Sequence, residues 1–130
     1  MGFDIESNPN NVSNYVDVSI LYDNVVADLN NRNITHRFLS SYNDVIFQGE
    51  YRVGMRVGDM SGTQTTYDYH FIKQLSNGTW VTKIAASPSK FHCPDGVNPD
   101  DIYWYPFVDL YTGDTIDLYD SETIYIAVSP

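Results

Sequence analysis

Cysteine is nearly missing from this chain. The single Cys93 rules out an intrachain disulfide, and no Cys/His cluster has zinc-ligand spacing. Cations are also scarce: 7 Lys and Arg stand against 17 Asp and Glu, for a formal net charge of -10. Phosphate binding depends on cationic neutralisation, so a nucleic-acid partner and an anionic membrane surface are both disfavoured. No apolar run approaches the roughly 20 residues of a membrane-spanning helix. The N-terminal MGFDIESNPN has no cationic and then apolar signal segment. A Gly-rich phosphate loop, GxSxG, HExxH, a framed pair of carboxylates, an internal repeat and a low-complexity segment are all absent. No cofactor is therefore expected.

What is present reads as one globular domain. The chain has 130 residues, and 42% hydrophobic against 18% charged residues excludes a disordered composition. Tyrosine is abundant (11 residues) and lysine scarce (3 residues), a profile common in secreted surface modules. Residues 1–12 are polar and read as a flexible arm, and residues 13–130 read as a single domain.

Ser19 is placed to cap a helix whose Ile20, Leu21, Val25, Val26 and Leu29 cover one face, with Asp23 and Asp28 solvated. Asn30-Asn31-Arg32-Asn33 ends it, because Asn tolerates the left-handed conformation of a C-cap. Ile34 to Leu39 is a short strand in which His36 is an exposed or edge residue. Glu50 to Val57 alternates strictly, with Tyr51, Val53, Met55 and Val57 on one face and Arg52, Gly54 and Arg56 on the other, as in a half-buried strand. Tyr67 to Leu75 alternates again and sets Asp68, His70, Ile72 and Gln74 opposite Tyr67, Tyr69 and Phe71. Ser76-Asn77-Gly78 is a hairpin signal, with Thr79 to Ile84 as the return strand.

Ala85 to Asp101 contains Pro88, Pro94, Pro99 and Gly96 and reads as a long loop. Its Asp95, Asn98, Asp100 and Asp101 are oxygen ligands of the kind calcium takes, but their spacing is not that of an EF-hand, and solvated acidic residues are the commoner case. Ile102 to Tyr111 is dense in aromatics. Buried, it is a core strand, the favoured reading; exposed, Tyr103, Trp104 and Tyr105, with Trp80, are candidate ligand-contacting residues. Thr112-Gly113-Asp114 is a turn. Thr123 to Val128 is apolar at nearly every position and reads as a central strand. The expected architecture is α+β: one main helix on an antiparallel sheet of about five or six strands.

His70 is the first candidate for chemistry, as a general base on a rigid strand, and Asp68 is its candidate orienter. The competing and favoured reading is a half-buried histidine bonded to a neighbour. Tyr67 to Ser89, YDYHFIKQLSNGTWVTKIAASPS, together with the upstream Gly49-Glu50-Tyr51-Arg52-Val53 strand and the final TIYIAV strand, resembles a pattern in uncharacterised bacterial, often clostridial, proteins. Those proteins look like papain-like or NlpC-type cysteine hydrolases. The resemblance implies a nucleophilic Cys at a helix N-terminus and His70 as the catalytic histidine on the adjoining sheet. This chain departs from that pattern in two places. No Cys lies upstream of residue 93, and Val81-Thr82-Lys83 stands where the pattern tends to carry Ser-His-Lys. A thiolate nucleophile needs a positioned cysteine. Cys93 is no substitute, because His92 beside it would point to the opposite side of an extended chain.

The expectation is therefore a non-catalytic binding or interaction module related to papain-like hydrolases. The alternatives are a carbohydrate- or surface-binding module using exposed aromatics, a small acidic protein-binding protein of phage or defence type, and a hydrolase built on His70 with Asp68. A protein or a carbohydrate is the expected partner.

Overall fold

A computed structural model describes residues 17–59, 67–82 and 92–130, without the side chains of Asp59, Tyr67, Asp68 and His92. The arm expected over residues 1–12 lies outside the described residues. Helix α1 spans Val18–Asn31. Its N-cap is Asp17 rather than Ser19: the Asp17 carboxylate accepts from the Ser19 amide at 2.9 Å. The earlier start draws Val18 into the helix, where Val18, Leu21, Val25 and Leu29 form the buried stripe. Asn33, at φ 55°, terminates it as expected. Its amide donates to Asn30 O and that of Ile34 to Leu29 O, the paired bonds of a Schellman motif. Asp28 is half-buried rather than solvated and pairs with Arg32 at 3.2 Å.

The main sheet consists of β1 (Thr35–Leu39), β2 (Tyr51–Asp59), β3 (Tyr67–Gln74), β4 (Trp80–Thr82), β5 (His92–Cys93) and β8 (Ile124–Ser129). Its order is β1-β8-β2-β3-β4-β5, antiparallel throughout. Strands β6 (Pro106–Val108) and β7 (Thr115–Asp117) form a separate two-stranded hairpin. The architecture is α+β, with β8 inside the sheet and β1 at its edge. The β3–β4 hairpin turns at Gly78, with φ +89°. No described helix is long and apolar enough to cross a membrane.

Both faces of the sheet are covered, which the alternation of β2 alone does not indicate. On the first face, α1 packs its stripe against Val53, Met55, Val57, Phe71, Ile126 and Val128. On the second face, Leu39, Ile72, Trp80, Cys93, Trp104, Tyr119, Tyr125 and Ala127 form another apolar cluster. The expected half-buried strand is therefore buried on both sides, and Arg56 is 7% exposed instead of solvated. Among the described residues no second α-helix supplies this cover: it comes from irregular chain around Val97, Ile102, Trp104, Leu118 and Tyr119. The approach is closest at Gly58, where a Cβ would overlap the Leu118 carbonyl oxygen.

Two expected elements change. The loop expected over 85–101 contains β5 and a short 3-10 turn over Pro99–Asp101, with residues 83–91 outside the described set. The core strand expected over 102–111 does not form. Only Trp104 is fully buried, with Ile102 packed partly beside it; the chain bends there because the Trp104 and Tyr105 amides donate to the Asp117 carboxylate, both at 2.8 Å, instead of to a strand ladder. Beyond Tyr105 the chain leaves the domain as the β6–β7 arm.

Candidate functional site

His70 projects from β3 on the second face, through the alternation that sends Tyr69 and Phe71 toward α1. It is 1% exposed. Its Nε2 is 2.6 Å from Thr82 Oγ1, and its ring lies against Tyr119 and Trp104, with centroids at 4.9 and 5.9 Å. Helix α1 is on the other side of the sheet, so the N-terminus of α1 and the His70 imidazole do not share a cleft. Among the described residues, no helix N-terminus adjoins His70 in the way that the resemblance to papain-like hydrolases implies. A base must reach the proton it takes, and His70 is closed off from solvent by aromatic rings. Asp68 is opposite Gly58 in the strand ladder, and its side chain lies outside the described residues.

Cys93 is fully buried on β5, and its Sγ lies 3.3 Å from Val97 O. Burial pushes its thiol pKa up, the reverse of what a nucleophile needs. Two of the four calcium candidates are engaged in other bonds: Asn98 caps the 3-10 turn through the Asp100 amide, and Asp100 accepts from Tyr125 Oη at 2.8 Å. Among the described residues no group of three or more His, Cys, Asp or Glu is placed to hold a metal ion.

The residues that organise this region are ones the sequence did not single out. Arg56 from β2 is the hub. Its Nε donates to Thr123 Oγ1 at 2.7 Å, and its Nη1 to Asp117 Oδ2 and Tyr119 O, each at 3.1 Å. Nη2 is 3.5 Å from Asp100 Oδ1, and the guanidinium carbon lies 4.5 Å from the centre of the Trp104 ring. Asp117 also accepts from the Trp104, Tyr105 and Tyr119 amides. Arg56 and Asp117 thus clamp the root of the arm to the sheet. Burial, helped by Asp100, pushes the Tyr125 phenol far above its ordinary pKa, so it stays a donor. Arg56 was legible only as a cation alternating with apolar residues, and nothing in the sequence distinguished Asp117 from its neighbours.

The aromatic candidates separate into two groups. Trp80 and Trp104 are each 1% exposed and packed in the second core, so no surface platform of Trp104 and Tyr105 exists. Trp80 fits edge-on against Tyr125, and the Trp104 indole donates to Pro99 O at 3.1 Å. Tyr103 and Tyr105 are about half exposed. They belong to a run in which Phe107, Val108, Leu110 and Tyr111 are exposed as well, the last two at 94% and 99%. The arm that carries the last four is held by its own bonds: Asp109 N–H to Asp114 O and Gly113 N–H to Asp109 O, with Gly113 at φ +75°.

Two concavities flank these features. One of about 460 Å³ lies at the root of the arm and is lined by Arg56, Asp100, Asp101, Tyr103, Asp117 and Asp120, among others. The other, of about 890 Å³, lies at the β3–β4 turn and includes Tyr51, Arg52, Lys73, Gln74 and Asn77. Its two cations do not converge: Lys73 is registered with Val53 on the α1 face, whereas Arg52 lies on the opposite face and donates to Gln74 Oε1 at 2.6 Å. No protein-family model, curated protein or solved structure matches the chain.

Proposed function

We propose that this chain is a non-catalytic interaction module that binds a protein partner through the β6–β7 arm. The observation that carries the reading is the run of six large apolar side chains exposed within residues 103–111, two at the root and four on an arm clamped there to the sheet. A folded domain rarely leaves such a concentration in water unless it meets a partner. Tyrosine and phenylalanine supply large contact area, and aromatic residues are enriched at interfaces. Val108 and Leu110 favour a protein surface over a sugar, since sugar stacking uses flat aromatic faces. The buried positions of His70 and Cys93 support a module without acid–base or thiol chemistry.

A random peptide library selected on the immobilised chain tests this. Selected peptides are expected to lose binding to a Leu110→Ser/Tyr111→Ser variant and to keep it for a Phe38→Ser/Phe47→Ser variant, whose changes lie at other exposed apolar residues. Peptides that bind the arm variant as tightly as the parent chain would refute the reading. Retardation in polysaccharide gels that disappears with Tyr103→Ala/Tyr105→Ala would replace it with the carbohydrate one.

A further inference from the structure

The arm sits in the most one-sided electrostatic region of the chain. Residues 94–130 contain eight acidic side chains and no Lys, Arg or His, so they account for most of the net charge of -10. The nearest described cation, Arg56, is already committed to Asp117 and Asp100. Asp101, Asp114 and Asp120 are exposed, and among the described residues no cation lies within ion-pair distance of any of them. Asp101 and Asp120 line the concavity at the root of the arm together with the half-exposed ring of Tyr103.

From this arrangement we infer that the partner presents a basic, apolar-anchored protein surface: hydrophobic side chains that cover the arm, and a Lys or Arg that enters the concavity at its root. The inference rests on the reading of the arm as a binding surface and adds the chemistry of what it binds. Apolar contact supplies the area, and the unneutralised aspartates supply sign. Complementary potentials speed encounter and reject wrong partners. A second copy of this chain is disfavoured, because pairing would bring two acidic arms together. An anionic bilayer is repelled for the same reason. In the concavity, a guanidinium or ammonium group meets Asp101 and Asp120 as charge partners and the Tyr103 ring as a cation–π face.

The test titrates the whole chain into two labelled peptides of about twelve residues, one alternating Leu and Lys and the other Leu and Glu, read by fluorescence anisotropy. The Lys peptide is expected to bind at least about tenfold more tightly than the Glu peptide. Asp101→Asn/Asp120→Asn is expected to weaken the Lys peptide by about three- to tenfold, the scale of one or two exposed ion pairs. The charge-matched control Asp23→Asn/Asp95→Asn, at exposed sites outside the arm and the concavity, should change it by less than about twofold. Leu110→Ser/Tyr111→Ser should abolish binding of the Lys peptide. Equal effects of the two Asp variants, equal binding of the two peptides, or no binding of either overturns the inference. If the peptides bind equally and both are lost with Leu110→Ser/Tyr111→Ser, the arm remains the binding surface and only its charge selectivity falls. If that variant binds the Lys peptide like the parent chain, the reading of the arm itself falls.

Discussion

Arg56→Ala should be among the most damaging single substitutions in this domain. The side chain is nine-tenths buried and joins β2 to the covering chain through Thr123, Asp117, the Tyr119 carbonyl, Asp100 and the face of Trp104. Removing it leaves Asp117, whose side chain is 11% exposed, as a nearly buried charge without its cation. Breaking such a pair from one side costs about 3–5 kcal/mol. Domains of this size hold about 5–15 kcal/mol in total, so the variant should fold but melt about 10–20 °C lower. Arg56→Lys keeps the charge but not the planar fork, and should lose about half as much. Urea unfolding of Arg56→Ala, Asp117→Asn and the double variant measures the pair directly, with an expected coupling of about 1.5–3 kcal/mol. A loss below about 1 kcal/mol for Arg56→Ala, or additive single losses, would refute the idea that this arginine clamps the arm.

Gly58→Ala places a methyl group against the Leu118 carbonyl, where only backbone can yield; a destabilisation of about 3 kcal/mol or more is expected by urea unfolding, against about 1 kcal/mol for the open, positive-φ Gly113→Ala. The Glu50 carboxyl is held below its usual range first by the Arg37 hydrogen bond and then by the Phe47 amide. Because its pKa is lower in the folded than in the unfolded chain, its contribution is complete above the ordinary Glu value near 4.3 and disappears as the pH falls through the lower folded value. Urea midpoints should therefore drop between neutral pH and about pH 3, and Glu50→Gln should lose part of that dependence. Cys93 should stay silent to a thiol reagent such as DTNB at neutral pH and react only after denaturation, since it is fully buried and its thiolate is disfavoured. Reaction in the native state at the unfolded rate would contradict this burial.

The elements with a strong local signal were legible in the sequence. The period-two runs at 51–57 and 67–74, the Asn-Gly turn at 77–78, the Asn stop of the helix and the apolar final strand each follow from short-range rules, and each appears in the fold. What failed depends on tertiary cover. Alternation in β2 assigns Arg56 to a second face but does not say that chain 61 to 67 residues later folds over that face. The aromatic run from 103 to 111 gives no local sign that Trp104 turns inward while Tyr105 and Tyr111 turn out, because that choice is made by Asp117 from across the hairpin. His70 reads from sequence as a histidine on an ordered strand, and its confinement by Tyr119 and Trp104 comes from residues distant in sequence.

The order of the sheet has a consequence for how the molecule assembles. Strands β1 and β2 follow one another in the chain, yet they do not pair with each other; β8 lies between them and bonds to both. A nascent chain that has made α1 and β1 through β5 therefore holds two adjacent strands with a vacant slot between their edges. That slot closes only when β8 reaches it, a pairing of distant segments of the kind that slows folding. Until then, β1 and β2 offer unpaired edges of the kind on which other chains add. A strand peptide matching Ile124–Ser129, supplied in trans to a chain lacking it, would occupy the same slot, and the domain would become a two-piece complementation system split at its own centre.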